Sequence, residues 1–457
     1  MRLLALVFAV LATYACSSST AVPDGAAEPA TDGGLDASPP DGAPPDAGVP
    51  FRVSVSVSPF AEFLRDHGLS WSDGERSATS VEDLQRLFMA HGATEVFARI
   101  GTRRTLPGAD GIQASLAAGV ERAHLAQRLG LPLNPELSLF GTYGDLGCQT
   151  PPDFSEYPEI ALSGPWGTLG IEERAGALRT WARLAAQELV AAGVTIEVWD
   201  LGNEVDFGTA GVAVRPMPGS SCDGAEGSTT WYQAPDALDP AIGLQSGMGL
   251  MQLPVADRIG WLQAHLWPFE AQLIAAAADG VRQIVPDARF STHIASWWSD
   301  AFAVAFFDAM AEGGYEPDQI GLSYYPTASL PLPSGRNPQL ATTVTALRAR
   351  FDVPVFIAEL GYPGTDVMPA AWTGWDHALP GYPLTEQGQY DLIRDLAKWG
   401  AAGHLAGLRP WGPELPFDGW PMSFFRAPSA GGVSTAVPAL DAIADGIAAP
   451  DGADLHD

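Results

Sequence analysis

Hydrophobic and polar positions along the chain follow two periods in turn. Segments with apolar runs or period-two alternation are typical of strands, and segments whose apolar residues recur every three or four positions are typical of helices. RVSVSVS (52–58) alternates like a strand, whereas VEDLQRLFMAHG (81–92) is amphipathic and stops at a glycine. Repetition of this sequence pattern predicts eight strand-then-helix units. The predicted strands are 52–58, 94–101, 136–144, 195–204, 289–295, 319–326, 353–363 and 403–414.

Alternation of strands and helices implies parallel strands. Eight such units in about 400 residues predict a (β/α)8 barrel, with enlarged loops after strands three and four. The alternative is a doubly wound open sheet, and the lack of a glycine-rich phosphate loop after the first strand argues against it. The longest insertion, residues 205–256, is rich in Gly, Pro, Ser and aromatic residues. Long irregular loops usually shape a functional site.

The N-terminal segment has the pattern of an export signal. Residues 1–16 give a positive start, an apolar stretch and Cys16, followed by serines, which resembles a bacterial lipoprotein signal with Cys16 as the lipidated residue. Ordinary secretion is the alternative. Residues 17–50 hold no aromatic residue, Lys or Arg, so we expect a disordered tether. Residues 51–457 are then the folded domain, exported and attached at the cell envelope or surface, or secreted.

Charge and cysteine content narrow the function. The formal net charge is −30, and so acidic a chain repels phosphate backbones, which excludes nucleic acid as a partner. We expect the protein to be a monomer and to contact a membrane only through its lipid anchor. In an exported protein, Cys148 and Cys222 invite a disulfide, with free thiols as the alternative. Scattered His and Cys residues without ligand spacing predict neither a metal nor a cofactor.

Polar side chains collect at the carboxyl ends of the predicted strands, where barrel enzymes hold their chemistry. Glu204 ends the predicted fourth strand and Glu359 lies near the end of the predicted seventh. Two carboxyl groups across a sugar ring are what glycoside cleavage requires. A lone glutamate there is usually a solvated loop acid, so the argument depends on several residues meeting at one end of the barrel. The other candidates are Arg99, Asn203, His293, Tyr324, Tyr325, Trp411 and Glu414.

Each candidate receives a role from its chemistry. One carboxyl group must donate a proton and the other must attack as a carboxylate, so burial and charge must separate their pKa values. Arg99 would keep Glu359 charged, and Tyr325 would orient it. Asn203 would bind a sugar hydroxyl. We also predict substrate contacts for His293 and Trp411, although a lone histidine is usually a structural hydrogen-bonding residue.

Three motifs resemble glycoside hydrolase family 53, the endo-β-1,4-galactanases: LGNE (201–204), IGLSYYP (320–326) and VFIAELGYP (355–363). GATEVFARI (92–100) and RPWGPE (409–414) resemble its second and eighth strands. The resemblance spans roughly residues 55–440. It implies a barrel of the retaining clan, with Glu204 as acid/base and Glu359 as nucleophile, acting on β-1,4-galactan. Retention implies carboxyl groups about 5–5.5 Å apart.

The third strand departs from the family pattern. The family run Phe-His-Tyr-Ser-Asp is replaced by LFGTYGD (139–145), in which only Tyr143 and Asp145 loosely correspond. Because this strand grips the sugar in the family, the exact polysaccharide stays open. Two alternatives remain: a related clan enzyme that acts on another β-linked polysaccharide, and a non-catalytic surface glycan-binding protein.

Overall fold

A computed structural model describes residues 50–55, 57–105, 114–216, 232–328, 332–369, 372–449 and 455. The predicted signal segment, Cys222 and the tether up to residue 49 lie outside these ranges. Eight parallel strands form a closed barrel in chain order, and the last pairs with the first, which confirms the predicted fold. The barrel strands are β1 Arg52–Val55, β2 Glu95–Ile100, β3 Leu133–Leu137, β4 Trp199–Leu201, β5 Phe290–Ile294, β6 Gln319–Tyr324, β7 Val355–Leu360 and β8 Gly407–Pro410.

Helices cover the outside of the barrel. Several begin at a Ser or Thr whose side chain accepts a hydrogen bond from a backbone N–H of the first turn, as at Ser80, Ser115 and Thr385. The helices are α1 Pro59–Asp66, α2 Val81–Ala90, α3 Leu116–Leu129, α4 Ile171–Ala191, α5 Pro240–Leu244, α6 Gly247–Met251, α7 Val255–His265, α8 Trp267–Arg282, α9 Asp300–Glu312, α10 Arg336–Phe351, α11 Glu386–Trp399 and α12 Ala439–Ala448.

One long predicted helix is two helices in the structure. The pattern of residues 257–280 predicts a single helix, but the chain bends at Leu266 (φ −120°, ψ −57°) between α7 and α8. Pro268 lies in the first turn of α8. Proline lacks a backbone N–H and is tolerated there, because a backbone N–H in the first turn would find no carbonyl acceptor within the helix. The apolar stripe continues across the bend, so periodicity alone does not reveal it.

The third strand lies earlier in the chain than predicted. It ends at Leu137, and Leu139 adopts a left-handed backbone (φ 63°) that is incompatible with a continuing strand. Residues Gly144–Asp145 and Cys148–Gln149 instead pair with each other as a short antiparallel hairpin. Leu139 and Phe140 misled the prediction, since both are buried although they lie after the end of the strand. Glu136 therefore lies at the carboxyl end of β3 and not at its start.

The core has an apolar layer between strands and helices and a polar layer inside the barrel. α4 and α8 approach closely at Gly280, where an added Cβ atom would lie 2.2 Å from the carbonyl oxygen of Arg179. Inside the barrel, the buried Arg409 pairs with Asp200 at 2.8 Å and stacks 4.0 Å from the ring of Phe97. Within the described ranges, no helix combines the length and the apolarity that a membrane span requires.

Candidate active site

The candidate site lies at the carboxyl ends of the barrel strands, where successive strands bring side chains of distant sequence position together. Glu359 is near the end of β7, and both of its oxygens are engaged. Oε1 accepts a hydrogen bond from Nη2 of Arg99 at 2.5 Å, and Oε2 accepts one from the Tyr325 hydroxyl at 2.7 Å. The structure thus places the predicted Arg99 and Tyr325 contacts on Glu359. Both partners donate, so their hydrogen bonds fix the orientation of the Glu359 carboxyl group.

Arg99 is the centre of the site. It lies on β2 in register with Glu136 of β3, to which it donates from Nε at 2.6 Å and from Nη2 at 3.1 Å. The Trp411 ring covers the guanidinium at 4.1 Å. The predicted Trp411 therefore lies at the site, where it contacts Arg99. Glu136 and Trp411 thus hold the guanidinium in place, and the guanidinium in turn orients Glu359.

Glu204 lies three residues after Leu201, the last residue of the short strand β4, and has a left-handed backbone (φ 45°, ψ 59°). This conformation is costly for a residue other than glycine, and such strain is concentrated at functional sites. Its carboxyl group is buried and accepts a hydrogen bond from the backbone N–H of Leu146 at 3.0 Å. Burial, and then the negative charges of Glu359 and Asp145, raise the pKa of Glu204 well above its usual value. The surroundings of Glu204 therefore favour the protonated form of its carboxyl group.

Asn203 precedes Glu204 in the chain and contacts Arg99, which forms the salt bridge with Glu359. Its Oδ1 accepts hydrogen bonds from Arg99 Nη2 at 2.5 Å and from His293 Nε2 at 2.9 Å, and its Nδ2 donates to the Gly144 carbonyl at 2.5 Å. Burial lowers the pKa of His293 to about 3, so the imidazole is neutral. His293 is fully buried, so its side chain offers no surface for the predicted substrate contact. It contacts Asn203 instead.

The hairpin that replaces the expected end of the third strand borders Glu204. Asp145 accepts hydrogen bonds from the Tyr143 hydroxyl at 2.6 Å and from the backbone N–H of Cys148 at 2.9 Å. Burial raises the pKa of Asp145, and the charge of Glu359 adds to the effect. Cys148 is disulfide-bonded, and Cys16 and Cys222 both lie outside the described residues, so the pairing with Cys222 stays a prediction.

Two further carboxylates near the site were missed by reasoning from the sequence. Asp206 accepts hydrogen bonds from the backbone N–H groups of Ala295 (2.7 Å) and Ser296 (2.8 Å), and so fixes the loop after β5. Glu136 is buried behind Arg99. An acidic residue inside an apolar strand, as in LPLNPELSL (131–139), is the signal that would have identified Glu136.

Carboxylate and imidazole groups also meet as possible metal ligands. Glu136, His293 and Glu359 each offer one atom, and these atoms lie within 4.8 Å of one another. The Arg99 guanidinium, however, contacts both glutamates and already supplies a positive charge between them. We therefore interpret this group as part of the Arg99 ion-pair network.

The chemistry available is that of two carboxyl groups in opposite environments. Glu204 is buried beside other acids, and Glu359 is paired with a cation and a hydroxyl donor. The surroundings of Glu204 favour a proton, and both oxygens of Glu359 face hydrogen-bond donors, so the two groups can serve as proton donor and nucleophile. The candidate site is therefore a pair of glutamates in a (β/α)8 barrel, one just after strand four and the other near the end of strand seven.

Comparison with known proteins matches one segment of the chain to a family model. Residues 253–419 match the model described as "Glycosyl hydrolase family 53", which confirms over this segment the resemblance seen in the sequence. The segment includes Tyr325, Glu359 and Trp411, whereas Arg99, Asn203 and Glu204 lie before it.

Individual relatives are more distant. A Niallia circulans protein described as "Uncharacterized protein in bgaB 5'region" is 28% identical over 155 residues, which cover 32% of this chain and 41% of that protein. The match thus spans less than half of that relative's length. An Ignisphaera aggregans GH53 catalytic domain superposes with a TM-score of 0.60 at 17% identity, over 87% of this chain and 97% of that one. A structure from a study of two fungal β-1,4-galactanases gives 0.59 at 16%, over 86% and 99%. Both likenesses show the shared barrel fold.

Proposed function

We propose that the protein is a retaining, endo-acting glycoside hydrolase that cleaves β-1,4-galactan by double displacement. The observation that carries this proposal is the pairing of Glu204 and Glu359 at one end of the barrel in opposite environments. Burial and neighbouring acids raise the pKa of Glu204, which suits a proton donor, while Arg99 and Tyr325 hold Glu359 as a nucleophile. The match to the family model and the likeness of the barrel to a β-1,4-galactanase structure support the choice of substrate.

The reaction has two steps. In the first, a carboxylate oxygen of Glu359 bonds to the anomeric carbon, the bond from that carbon to the glycosidic oxygen breaks, and Glu204 gives its proton to the departing oxygen. In the second, Glu204 takes a proton from water, the water oxygen bonds to the anomeric carbon, and the ester to Glu359 breaks. Two inversions leave the anomeric configuration unchanged.

The decisive experiment measures reducing sugar released from β-1,4-galactan, with the product anomer followed by NMR. We expect the wild type to release β-configured ends, and Glu204→Gln and Glu359→Gln each to lose more than about 1,000-fold in kcat while binding is retained. Glu197→Gln is the matched control, because Glu197 is exposed and lies just before β4. An α-configured product, or full activity in both site variants, would refute the assignment.

A second candidate function is cleavage of another β-linked polysaccharide. The observation that favours it is the hairpin Gly144–Gln149, which borders Glu204 where the family's sugar-gripping third-strand motif would lie. Mannan, xylan and β-glucan assayed beside galactan separate the two candidates. Binding to any of them without turnover would instead favour a non-catalytic glycan-binding protein.

We also propose that the protein is exported and lipidated at Cys16. The support is the sequence pattern of residues 1–16 followed by the polar segment 17–50. Metabolic labelling with a fatty acid should mark the wild type and not Cys16→Ser. Equal labelling of both proteins would exclude this site.

A further inference from the structure

Glu136 is a buried acid with no role in the two steps above, yet it makes the most extensive contact with Arg99. The two residues are cross-strand partners in the β2–β3 pair, and both oxygens of Glu136 accept hydrogen bonds from Arg99, at 2.6 and 3.1 Å. The Ser138 hydroxyl donates to Oε1 of Glu136 at 2.7 Å. Glu136 is fully buried, so substrate does not reach it.

Two carboxylates therefore share one guanidinium. Arg99 forms salt bridges with Glu136 and with Glu359, and the second joins Nη2 to Oε1 at 2.5 Å. The neighbouring basic groups do not change this balance: His293 is neutral because burial lowers its pKa to about 3, and Arg409 pairs with Asp200 at 2.8 Å. Before reaction, Glu136 and Glu359 together thus carry one more negative charge than Arg99 neutralises.

The balance changes in the covalent step of the proposed reaction. When Glu359 bonds to the anomeric carbon and the leaving oxygen takes the proton of Glu204, the charge on Glu359 disappears. Arg99 would then be a buried cation, covered by Trp411, that has lost one of its two anionic partners. An unpaired charge in a buried site is strongly unfavourable.

We propose that Glu136 is a positioning residue that acts as the permanent counterion of Arg99, so that Arg99 stays paired when Glu359 becomes an ester. This role deepens the proposed function and rests on it. Its fork contact also sets the direction in which Nη2 points toward Glu359. Glu136 thereby stabilises the glycosyl-enzyme without touching the sugar.

The first test uses thermal unfolding of the purified full chain and needs no substrate. Glu359→Gln imitates the loss of charge in the ester. We expect a modest loss of midpoint for Glu359→Gln and for Glu136→Gln alone. In the double variant, where Arg99 loses both partners, the loss should exceed the sum by roughly 3 °C or more. Losses that simply add would overturn the proposal.

Glu136→Asp tests charge against geometry and also serves if Glu136→Gln does not fold. It keeps the charge, so its midpoint loss and that of Glu359→Gln should add. A loss well beyond the sum would overturn the counterion role, because the length of the side chain and not its charge would then decide the effect.

The second test is kinetic. We expect Glu136→Gln to lower kcat on the cleaved glycan about 10- to 100-fold, with KM changed less than about threefold, and Glu136→Asp to recover part of kcat. Ser138→Ala, which removes only the hydroxyl contact to Glu136, is the control and should lose less than about threefold. A wild-type kcat in Glu136→Gln would refute the inference. If the wild type cleaves no glycan, the proposed function fails, while the unfolding test still decides on Glu136.

Discussion

Replacing Tyr325 by Phe removes a single oxygen atom from the candidate site. Tyr325 follows β6 directly, and its hydroxyl donates to Oε2 of Glu359 at 2.7 Å. The ring itself is held edge-on by Trp375, with centroids 5.6 Å apart, and by Trp420 at 6.4 Å. These ring contacts do not involve the hydroxyl, so the phenyl ring of the variant should keep its place. The perturbation therefore falls on the orientation of Glu359.

The magnitude follows from the kind of hydrogen bond that is lost. A hydrogen bond to a charged group contributes about 1.5–3 kcal/mol. Since each 1.36 kcal/mol is a factor of ten in rate, kcat should fall roughly 10- to 150-fold if the whole contribution acts in the transition state. Glu359 keeps its contact with Arg99, so the loss should stay smaller than that of Glu359→Gln.

The assay compares kcat and the unfolding midpoint of Tyr325→Phe with those of Tyr324→Phe. The adjacent Tyr324 is buried, and its hydroxyl donates to Asn337 of α10. Loss of that hydroxyl should destabilise the fold by about 1 kcal/mol and leave kcat within about threefold of the wild type. Equal kcat values for the two variants would show that the hydroxyl contact to Glu359 does not serve the reaction.

Two further predictions concern pH and the backbone. In the proposed mechanism the reaction needs protonated Glu204, so activity is lost as pH rises through the pKa of that group. The charge of Asp145 raises this pKa, so Asp145→Asn should move the basic limb of the kcat/KM profile to lower pH. An unmoved limb would contradict the coupling. Gly208 has φ +153°, and an added Cβ would lie 2.2 Å from that of Ala213. Gly208→Ala should therefore lower the free energy of unfolding, measured by chemical denaturation, by about 1–3 kcal/mol or more. Gly176 lies in an open helical position, so Gly176→Ala should raise the free energy of unfolding by about 0.5–1 kcal/mol. Similar changes in both variants would refute the clash at Gly208.

The sequence predicts the barrel because each strand and helix has its own period. The sequence also predicts the residues at the ends of strands four and seven. Asn203-Glu204 and Glu359 interrupt apolar runs, and polar residues at such positions indicate a functional site. Contacts of Arg99 and Tyr325 with Glu359 were predicted from chemistry, on the expectation that strand ends meet.

Local pattern fails where burial does not follow secondary structure. The apolar run after Leu137 is buried in a loop, so the third strand was placed too late and Glu136 was assigned to its start. The bend at Leu266 is equally hidden, since both flanking helices show the same face to the core.

The sequence by itself determined the number and order of the structural units and the acidic character of the chain, and it predicted Glu204 and Glu359 as the central acids of the site. Only the tertiary structure decided which charges pair. Arg99 meets Glu136, Asn203 and Glu359, which are 37, 104 and 260 positions away. Closure of the barrel brings these residues together. Burial then shifts their pKa values, because the cost of an unpaired charge depends on neighbouring groups that no local sequence pattern specifies.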